Sequence, residues 1–231
     1  MVAADRTKRP ARRILRKLGW LALIVVLAPF VLTLIYTVVP PLSLPMIGRA
    51  FTLQDVDRRW TPLSQISPSI PLAVLSSEDA RFCQHWGVDF GAIELVMQQG
   101  GHNGPSRGAS TVAMQVAKNL YLWPLPTMVR KPLEVPLALW IDLVWSKQRV
   151  IEVYLNIAQW GDGIYGVEAA SQHYFKKPAS SVTPKEAALL AVALPNPIRR
   201  DAGSPTRRLR NLAVLIAGRA RTASDTLACL K

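Results

Sequence analysis

Residues 78–89 read EDARFCQHWGVD, and they place two adjacent carboxylates at the end of an apolar, helix-like stretch. Burial at the end of a helix can raise the pKa of a carboxyl group through desolvation, whereas pairing with Arg81 would keep the group ionised. Either effect makes Glu78 a candidate acid or base. The alternative interpretation is an ordinary capping and salt-bridge cluster, with Asp89 as the cap of the following helix.

Residues 107–119, RGASTVAMQVAKN, form a Gly-containing loop that leads into a predicted helix capped by Ser110. Free backbone N–H groups at a helix start can hold an anion, and the hydroxyls of Ser110 and Thr111 add donors. Lys118 lies two turns after Thr111, on the same predicted face. A simple N-cap with a solvated lysine is the alternative.

Two further stretches contain charged residues at helical spacing. In residues 130–134, RKPLE, Arg130 and Glu134 are spaced i,i+4, which could be a single intrahelical ion pair worth about 0.2–0.5 kcal/mol. The apolar spacing in residues 147–156, KQRVIEVYLN, indicates core packing and a structural Glu152.

The helix signals predict a mainly α domain. We find no convincing β alternation and no internal repeat. The prolines at 132 and 136 suggest that the helix carrying Glu134 begins near Lys131 or is kinked. Predicted helix starts lie at Asp89, Ser110, Thr127, Ser146, the capping box Thr183–Glu186, and Ser204–Pro205.

The N-terminal region predicts a membrane anchor. Residues 18–39 contain no charged side chain, and their length suits a helix across a hydrocarbon core of about 30 Å. The basic block before this run puts the N-terminus in the cytoplasm. A cleaved signal peptide is the alternative, but the run is long and no A-x-A-like site follows. We therefore predict these segments: 1–17 cytoplasmic and basic, 18–39 uncleaved transmembrane helix, 40–69 linker and approach to the domain, 70–203 catalytic domain, 204–231 C-terminal helix and tail.

Composition and missing motifs exclude several functions. With 28 Lys and Arg against 15 Asp and Glu, the net charge of +13 calls for an anionic partner: nucleic acid, anionic lipid or a phosphorylated substrate. There is no H-E-x-x-H, no G-x-S-x-G and no S-x-x-K, so zinc hydrolases and acylating serine enzymes are disfavoured, and we predict no bound metal. Cys83 and Cys229 are too few for a disulfide framework; outside the cytoplasm they could pair, but two unpaired structural cysteines are the favoured prediction.

In this order and spacing, the four charged stretches closely resemble the peptidoglycan glycosyltransferases, and above all the monofunctional biosynthetic transglycosylases. The family pattern E-D-x-x-F-x-x-H-x-G-[VI]-D fits residues 78–89, and G-x-S-T-[IV]-x-x-Q-x-x-K-N fits residues 108–119. R-K-x-x-E and K-x-x-[IV]-[IL]-E-x-Y-L-N fit the other two stretches. The chain departs from the family at Ala113 and Met114, where a Ser or Thr and a second Gln are frequent.

The resemblance implies a lysozyme-like fold and a bacterial inner-membrane enzyme with a periplasmic domain. The implied substrates are a disaccharide-peptide on undecaprenyl pyrophosphate and the growing glycan strand. The implied reaction is inverting transfer to a sugar 4-hydroxyl that forms β-1,4 glycan, without transpeptidase activity. A divalent cation, Mg or Mn, at the pyrophosphate and a cell-wall synthesis complex are further implied partners.

The resemblance also implies roles for individual residues. Glu78 is expected to be the general base, and Glu134 matches the second essential glutamate, which orients Arg130 or helps to hold a divalent cation. Cationic and polar groups are expected to bind the substrate and its leaving pyrophosphate: Arg81, Ser110, Thr111, Gln115, Lys118, Asn119, Arg130 and Lys131.

Three rival functions remain at this point. A glycan-cleaving enzyme of the same fold would protonate a leaving oxygen and would not need a cationic cradle. A non-catalytic membrane-tethered scaffold would not require both glutamates together with both basic motifs. A nucleic-acid binder is least favoured because the domain is predicted to face outwards.

Overall fold

The computed structural model describes residues 8–99, 109–223 and 227–230. Within them the chain is mainly helical, which confirms the predicted fold class. The helices are α1 (Lys8–Ile35), α2 (Leu44–Phe51), α3 (Ser69–Glu78), α4 (Phe90–Gln99), α5 (Val112–Ala117), α6 (Thr127–Val144), α7 (Lys147–Ile157), α8 (Val167–Phe175), α9 (Pro184–Ala193) and α10 (Arg207–Thr222). A π-helical turn, Lys118–Leu122, continues α5.

Three of the six predicted helix starts are confirmed by capping contacts. The hydroxyl of Ser146 caps α7, and Thr183 and Glu186 form a reciprocal capping box on α9. Asp89 accepts from the backbone N–H of Ala92 at the start of α4. The end predicted for α4 at Gly100–Gly101 lies outside the described residues.

Two predicted caps are wrong by one or two residues. Thr111, not Ser110, caps α5, because its hydroxyl accepts from the N–H of Met114 at 3.2 Å. The last helix begins after Thr206 rather than at Ser204–Pro205, because the Thr206 hydroxyl accepts from the N–H of Leu209.

Helix α6 begins at Thr127, as the apolar pattern predicts, so the alternative start near Lys131 is wrong. Pro132 and Pro136 both lie inside the helix. A proline removes the N–H that would serve the carbonyl four residues earlier. For Pro132 that carbonyl belongs to Met128, which is highly exposed, so water can serve it.

Residues 40–69 contain ordered structure that the sequence did not reveal. Helix α2 buries Met46, and strand β1 (Asp57–Arg58) joins a small sheet of order β1-β3-β2. Strand β3 (Ile164–Tyr165) pairs in parallel with β1 and antiparallel with β2 (Gln159–Gly161). Strands of two or three residues are too short to show an alternating pattern.

The core forms around two groups of packed helices. Helix α3 packs against α9 and α10, and α5 packs against α6 and α7. The buried side chains of α3 and α7 include Ile70, Leu75, Ile151 and Tyr154. This packing brings the C-terminal end of α3, where Glu78 lies, next to α5.

The C-terminal end of α1 is docked on the domain. Residues Arg13–Ile35 form a mostly unburied helix that is long and apolar enough to cross a membrane. The indole of Trp140 donates to the carbonyl of Phe30 at 3.2 Å, and that of Trp145 donates to the carbonyl of Thr33 at 2.8 Å. Arg149 donates to the carbonyl of Tyr36 just beyond the helix. The helix that begins within the basic segment therefore ends against α6 and α7.

Cys83 and Cys229 form a disulfide, so the prediction of two unpaired cysteines is wrong. Their Cα atoms are 5.8 Å apart although 146 positions separate them in the sequence. Two short 3₁₀ helices, Phe82–Gln84 and Ala228–Leu230, carry the two cysteines. Spacing alone did not indicate that the C-terminus returns to the Glu78 region.

Candidate active site

A cleft of about 790 Å³ lies between the first helix after α1, the α5 region and the loop after α9. Its charged lining residues are all cationic in the described part of the chain, namely Arg49, Lys118 and Arg130. The polar lining includes Gln115, Asn119, Tyr154, Gln159 and Tyr165, and the apolar lining includes Trp123, Leu125, Leu194 and Ile198. Such a cleft suits an anionic substrate that also carries apolar or sugar surface.

Glu78, the last residue of α3, contacts this cleft through Gln115, one of its lining residues. Its Oε2 accepts from Nε2 of Gln115 at 3.0 Å. The side-chain oxygen of Gln115 in turn accepts from the hydroxyl of Tyr154 at 3.1 Å, and both residues line the cleft. The two contacts fix the orientation of the Glu78 carboxylate relative to the cleft.

The surroundings of Glu78 favour the protonated form of its carboxyl group more than water does. Burial raises the pKa of its carboxyl group, while the hydrogen bond from Gln115 and the charge of Lys118 act in the opposite direction. A carboxylate with a raised pKa is a stronger base than an exposed glutamate, so Glu78 has the properties of a general base.

Glu134 forms the centre of a cationic cluster on α6. Only 1% of its side chain is exposed, and one oxygen is ion-paired with Arg130. The other oxygen accepts from Nζ of Lys131 at 2.7 Å, and Lys131 also donates to the hydroxyl of Ser110 at 2.6 Å. The structure therefore brings four of the predicted residues together.

Lys118 extends this cationic region into the cleft. It is the first residue of the π-helical turn, a feature that is often found at functional sites. Burial lowers the pKa of Lys118, the charge of Arg130 lowers it further, and Glu134 opposes both. Within the described ranges its Nζ has no hydrogen-bond partner, and Asn119 lines the cleft beside it.

Asp79 connects residues 78–89 to the start of α5, and both of its carboxylate oxygens are occupied by protein contacts. Its Oδ2 accepts from the backbone N–H of Val112 at 2.9 Å, and its Oδ1 bonds Nε2 of His85 at 2.8 Å. The first contact holds the start of α5, which carries Gln115, against the end of α3. Asp79 is therefore a buried residue with a structural role.

Two predicted substrate-binding residues, Thr111 and Arg81, do not line the cleft. Thr111 is buried and commits its hydroxyl to the cap of α5 and to the carbonyl of Gly87. Arg81 pairs with Asp89 and lines a separate pocket of about 360 Å³. The loop residues Arg107 and Gly108 fall outside the described residues.

Sequence reasoning missed several cleft residues, including Arg49, Tyr154 and Gln159. Arg49 belongs to the segment interpreted as a linker, although the spacing of apolar residues in residues 44–51 could have indicated an amphipathic helix. Tyr154 was assigned to core packing, and its ring is indeed buried. Its hydroxyl nevertheless reaches Gln115.

Comparison with known proteins identifies the family of the chain. The family model described as Transglycosylase matches residues 46–221. The chain is 48% identical to the biosynthetic peptidoglycan transglycosylase of Agrobacterium fabrum over 222 residues, 95% of this chain and 96% of that protein. The proteins of the same name from Brucella suis and Nitrobacter winogradskyi are 47% and 46% identical, over 91% and 92% of this chain and 96% and 94% of theirs. The domain is a glycosyltransferase domain with the lysozyme-like fold. The family model and these relatives show that the chain belongs to the transglycosylase family.

Proposed function

We propose that this protein polymerises the glycan strands of peptidoglycan from lipid-linked disaccharide-peptide units. The observation that carries the proposal is the pairing of Glu78 with a cationic cleft that has no acidic lining residue among those described. A base is needed on one side of the reacting sugar and cations on the other. The names of the relatives supply the polymer class.

Glu78 takes the proton from the attacking 4-hydroxyl in this proposal. The hydroxyl oxygen forms the new bond to the anomeric carbon of the donor, and the bond from that carbon to the pyrophosphate oxygen breaks. Attack from the side opposite the leaving group inverts an α-linked donor and gives a β-1,4 linkage. Gln115 and Tyr154 keep the Glu78 carboxylate oriented while the proton moves.

The leaving pyrophosphate takes the electron pair of the broken bond and is stabilised by nearby cations. Lys118 and Arg130 line the cleft where this charge develops. Glu134 holds Arg130 and Lys131 in place through both of its oxygens. We assign Glu134 an orienting role.

The donor set does not fit a metal ion held by the protein. The described residues contain no group of three or more His, Cys, Asp or Glu that could hold one. Glu134, the nearest carboxylate to the cationic cluster, already has an ion pair on each oxygen. We propose that any Mg or Mn is carried by the pyrophosphate oxygens of the substrate.

We further propose that α1 is an uncleaved, single-pass inner-membrane anchor with a cytoplasmic N-terminus and a periplasmic catalytic domain. The apolar stretch Arg13–Ile35 and the basic residues at its N-terminal side support this orientation. The lipid-linked precursor then reaches the cleft from the membrane in which the protein is anchored. A cell-wall synthesis complex in the same membrane is the proposed partner of the protein.

Detergent-solubilised protein tests the proposal directly. With labelled lipid-linked precursor it should produce long glycan that muramidase digests, and a fluorescent penicillin should not label it, because no S-x-x-K serine is present. Shortening of preformed glycan without synthesis would instead indicate a glycan-cleaving enzyme, and stoichiometric penicillin labelling would contradict the absence of transpeptidase activity.

A further inference from the structure

Arg49 is a cleft cation that the proposed mechanism does not use. It lies on α2, the first helix after the anchor, and lines the cleft together with Gly48 and Thr52. The cationic cluster formed by Lys118, Arg130 and Lys131 belongs to the α5–α6 part of the chain. Arg49 therefore supplies positive charge from a separate element.

The contacts of Arg49 hold the guanidinium but leave donors free. Its Nη1 donates to Oδ1 of Asp162 at 2.7 Å, and its Nε donates to the carbonyl of Asp55 at 3.1 Å. Its Nη2 has no hydrogen-bond partner in the part of the chain that the structure describes. An arginine held in this way can still bind an oxyanion through its remaining N–H groups.

The ion pair between Arg49 and Asp162 contributes little to the stability of the fold. The side chain of Asp162 is 72% exposed, and that of Arg49 is 21% exposed. Pairs with such an exposed partner contribute little to folding stability because water competes for both charges. Arg49 is also the more buried partner; it lines the cleft and also a neighbouring pocket that contains its two hydrogen-bond partners, Asp55 and Asp162.

Helix α2 is seated firmly enough to position Arg49. Gly48 packs against Trp123, where an added Cβ would lie 2.7 Å from the indole ring, and Met46 is buried. Trp123 follows directly on the π-helical turn that begins with Lys118. These contacts fix α2, which carries Arg49, relative to the π-helical turn, which carries Lys118.

We infer that Arg49 is a further substrate-binding residue that contacts an oxyanion of the substrate pair. This inference rests on the proposed function, in which two acidic units must occupy the cleft at once. The cluster around Glu134 faces the leaving pyrophosphate, and Arg49 meets an oxyanion on another part of the pair, either a diphosphate or a stem-peptide carboxylate.

The test compares Arg49→Gln with Asp162→Asn in the full-length, detergent-solubilised protein. Initial rates of glycan formation are measured against precursor concentration, together with thermal melts. We expect Arg49→Gln to raise KM by at least about tenfold, because it removes a charged hydrogen bond, with an unchanged melting temperature. Asp162→Asn keeps the guanidinium and should leave KM within about twofold of the wild type, as expected for an exposed pair.

Two results would overturn the inference. Equal losses in both variants with lowered melting temperatures would make the ion pair structural, and a wild-type KM in Arg49→Gln would remove the contact altogether. In either case loss of activity in Glu78→Gln would leave the proposed function intact. If the inference holds, a precursor with amidated stem-peptide carboxylates identifies the oxyanion: the difference between the variants disappears for a carboxylate contact and persists for a diphosphate contact.

Discussion

At the residue scale, the account depends on how burial changes the pKa of two ionisable groups, Lys118 in the cleft and Glu78, which is bonded to the cleft residue Gln115. Glu78 and Lys118 could both be chosen from the sequence, since each lies in a charged motif at a predicted helix boundary. The hydrogen-bond network around Glu78 could not, because Gln115, which donates to Glu78, lies 37 residues further along the chain, and Tyr154, which donates to Gln115, lies 76 residues further. Tertiary packing creates the hydrogen bonds and the desolvation that tune the two groups.

The opposite pKa shifts predict a narrow pH range for activity. The base must be ionised and the lysine protonated, so kcat/KM should fall below the raised pKa of Glu78 and above the lowered pKa of Lys118. Lys118→Arg keeps a charge that does not titrate, and its alkaline limb should move to higher pH. The measurement is the pH profile of kcat/KM for both proteins, and an alkaline limb at the same pH in both would remove Lys118 from the account.

The raised pKa of Glu78 also carries a stability cost. Because the folded state binds this proton more tightly than the unfolded state does, stability is lost as pH rises through the raised pKa. A neutral amide at this position avoids that loss. Glu78→Gln should therefore melt no lower than the wild type at neutral pH.

At the element scale, the sequence predicted the helices with strong local signals. The caps at Ser146 and Thr183 and the apolar period from Thr127 identified α7, α9 and α6. Helix α2 and the small sheet were missed because their stability comes from tertiary contacts, such as Gly48 on Trp123 and the pairing of β1 with β3. Local patterns carry no information on such contacts.

The hydrogen bond from Val112 of α5 to Asp79 at the end of α3 leads to a prediction for Asp79. Asp79→Asn removes the negative charge from the group that accepts from the N–H of Val112 and bonds His85, so both charge-assisted contacts are weakened. We expect a loss of about 1.5–3 kcal/mol in the free energy of unfolding, as for hydrogen bonds to charged groups. Thermal melts in detergent test this, with the exposed Glu94→Gln as the control. An unchanged melting temperature in Asp79→Asn would show that these contacts are dispensable.

At the scale of the whole molecule, long-range connections join the ends of the chain to the site. The anchor was predicted from an uncharged run of residues, but its docking through the indoles of Trp140 and Trp145 was not. The disulfide likewise joins the C-terminal tail to the region that carries Glu78. Neither connection has a local sequence signal.

The disulfide predicts a redox-dependent stability. Cross-links across long loops commonly contribute about 2–5 kcal/mol. Reductant should therefore lower the melting temperature of the wild type, and Cys229→Ser should reproduce the reduced value and no longer respond to reductant. The measurement is a thermal melt of both proteins with and without reductant. A wild-type melting temperature that reductant does not change would contradict the cross-link.

The most direct test of the central claim is the polymerisation rate of Glu78→Gln per folded molecule. The amide keeps the size of the side chain and removes its capacity to accept a proton. Loss of a positioned general base costs on the order of 10²–10⁴-fold in rate, so activity should fall by at least about 100-fold. The melting temperature should be equal to or above that of the wild type, and Glu94→Gln should remain active. Retention of more than about a tenth of the wild-type rate by Glu78→Gln would contradict the assignment of Glu78 as the base.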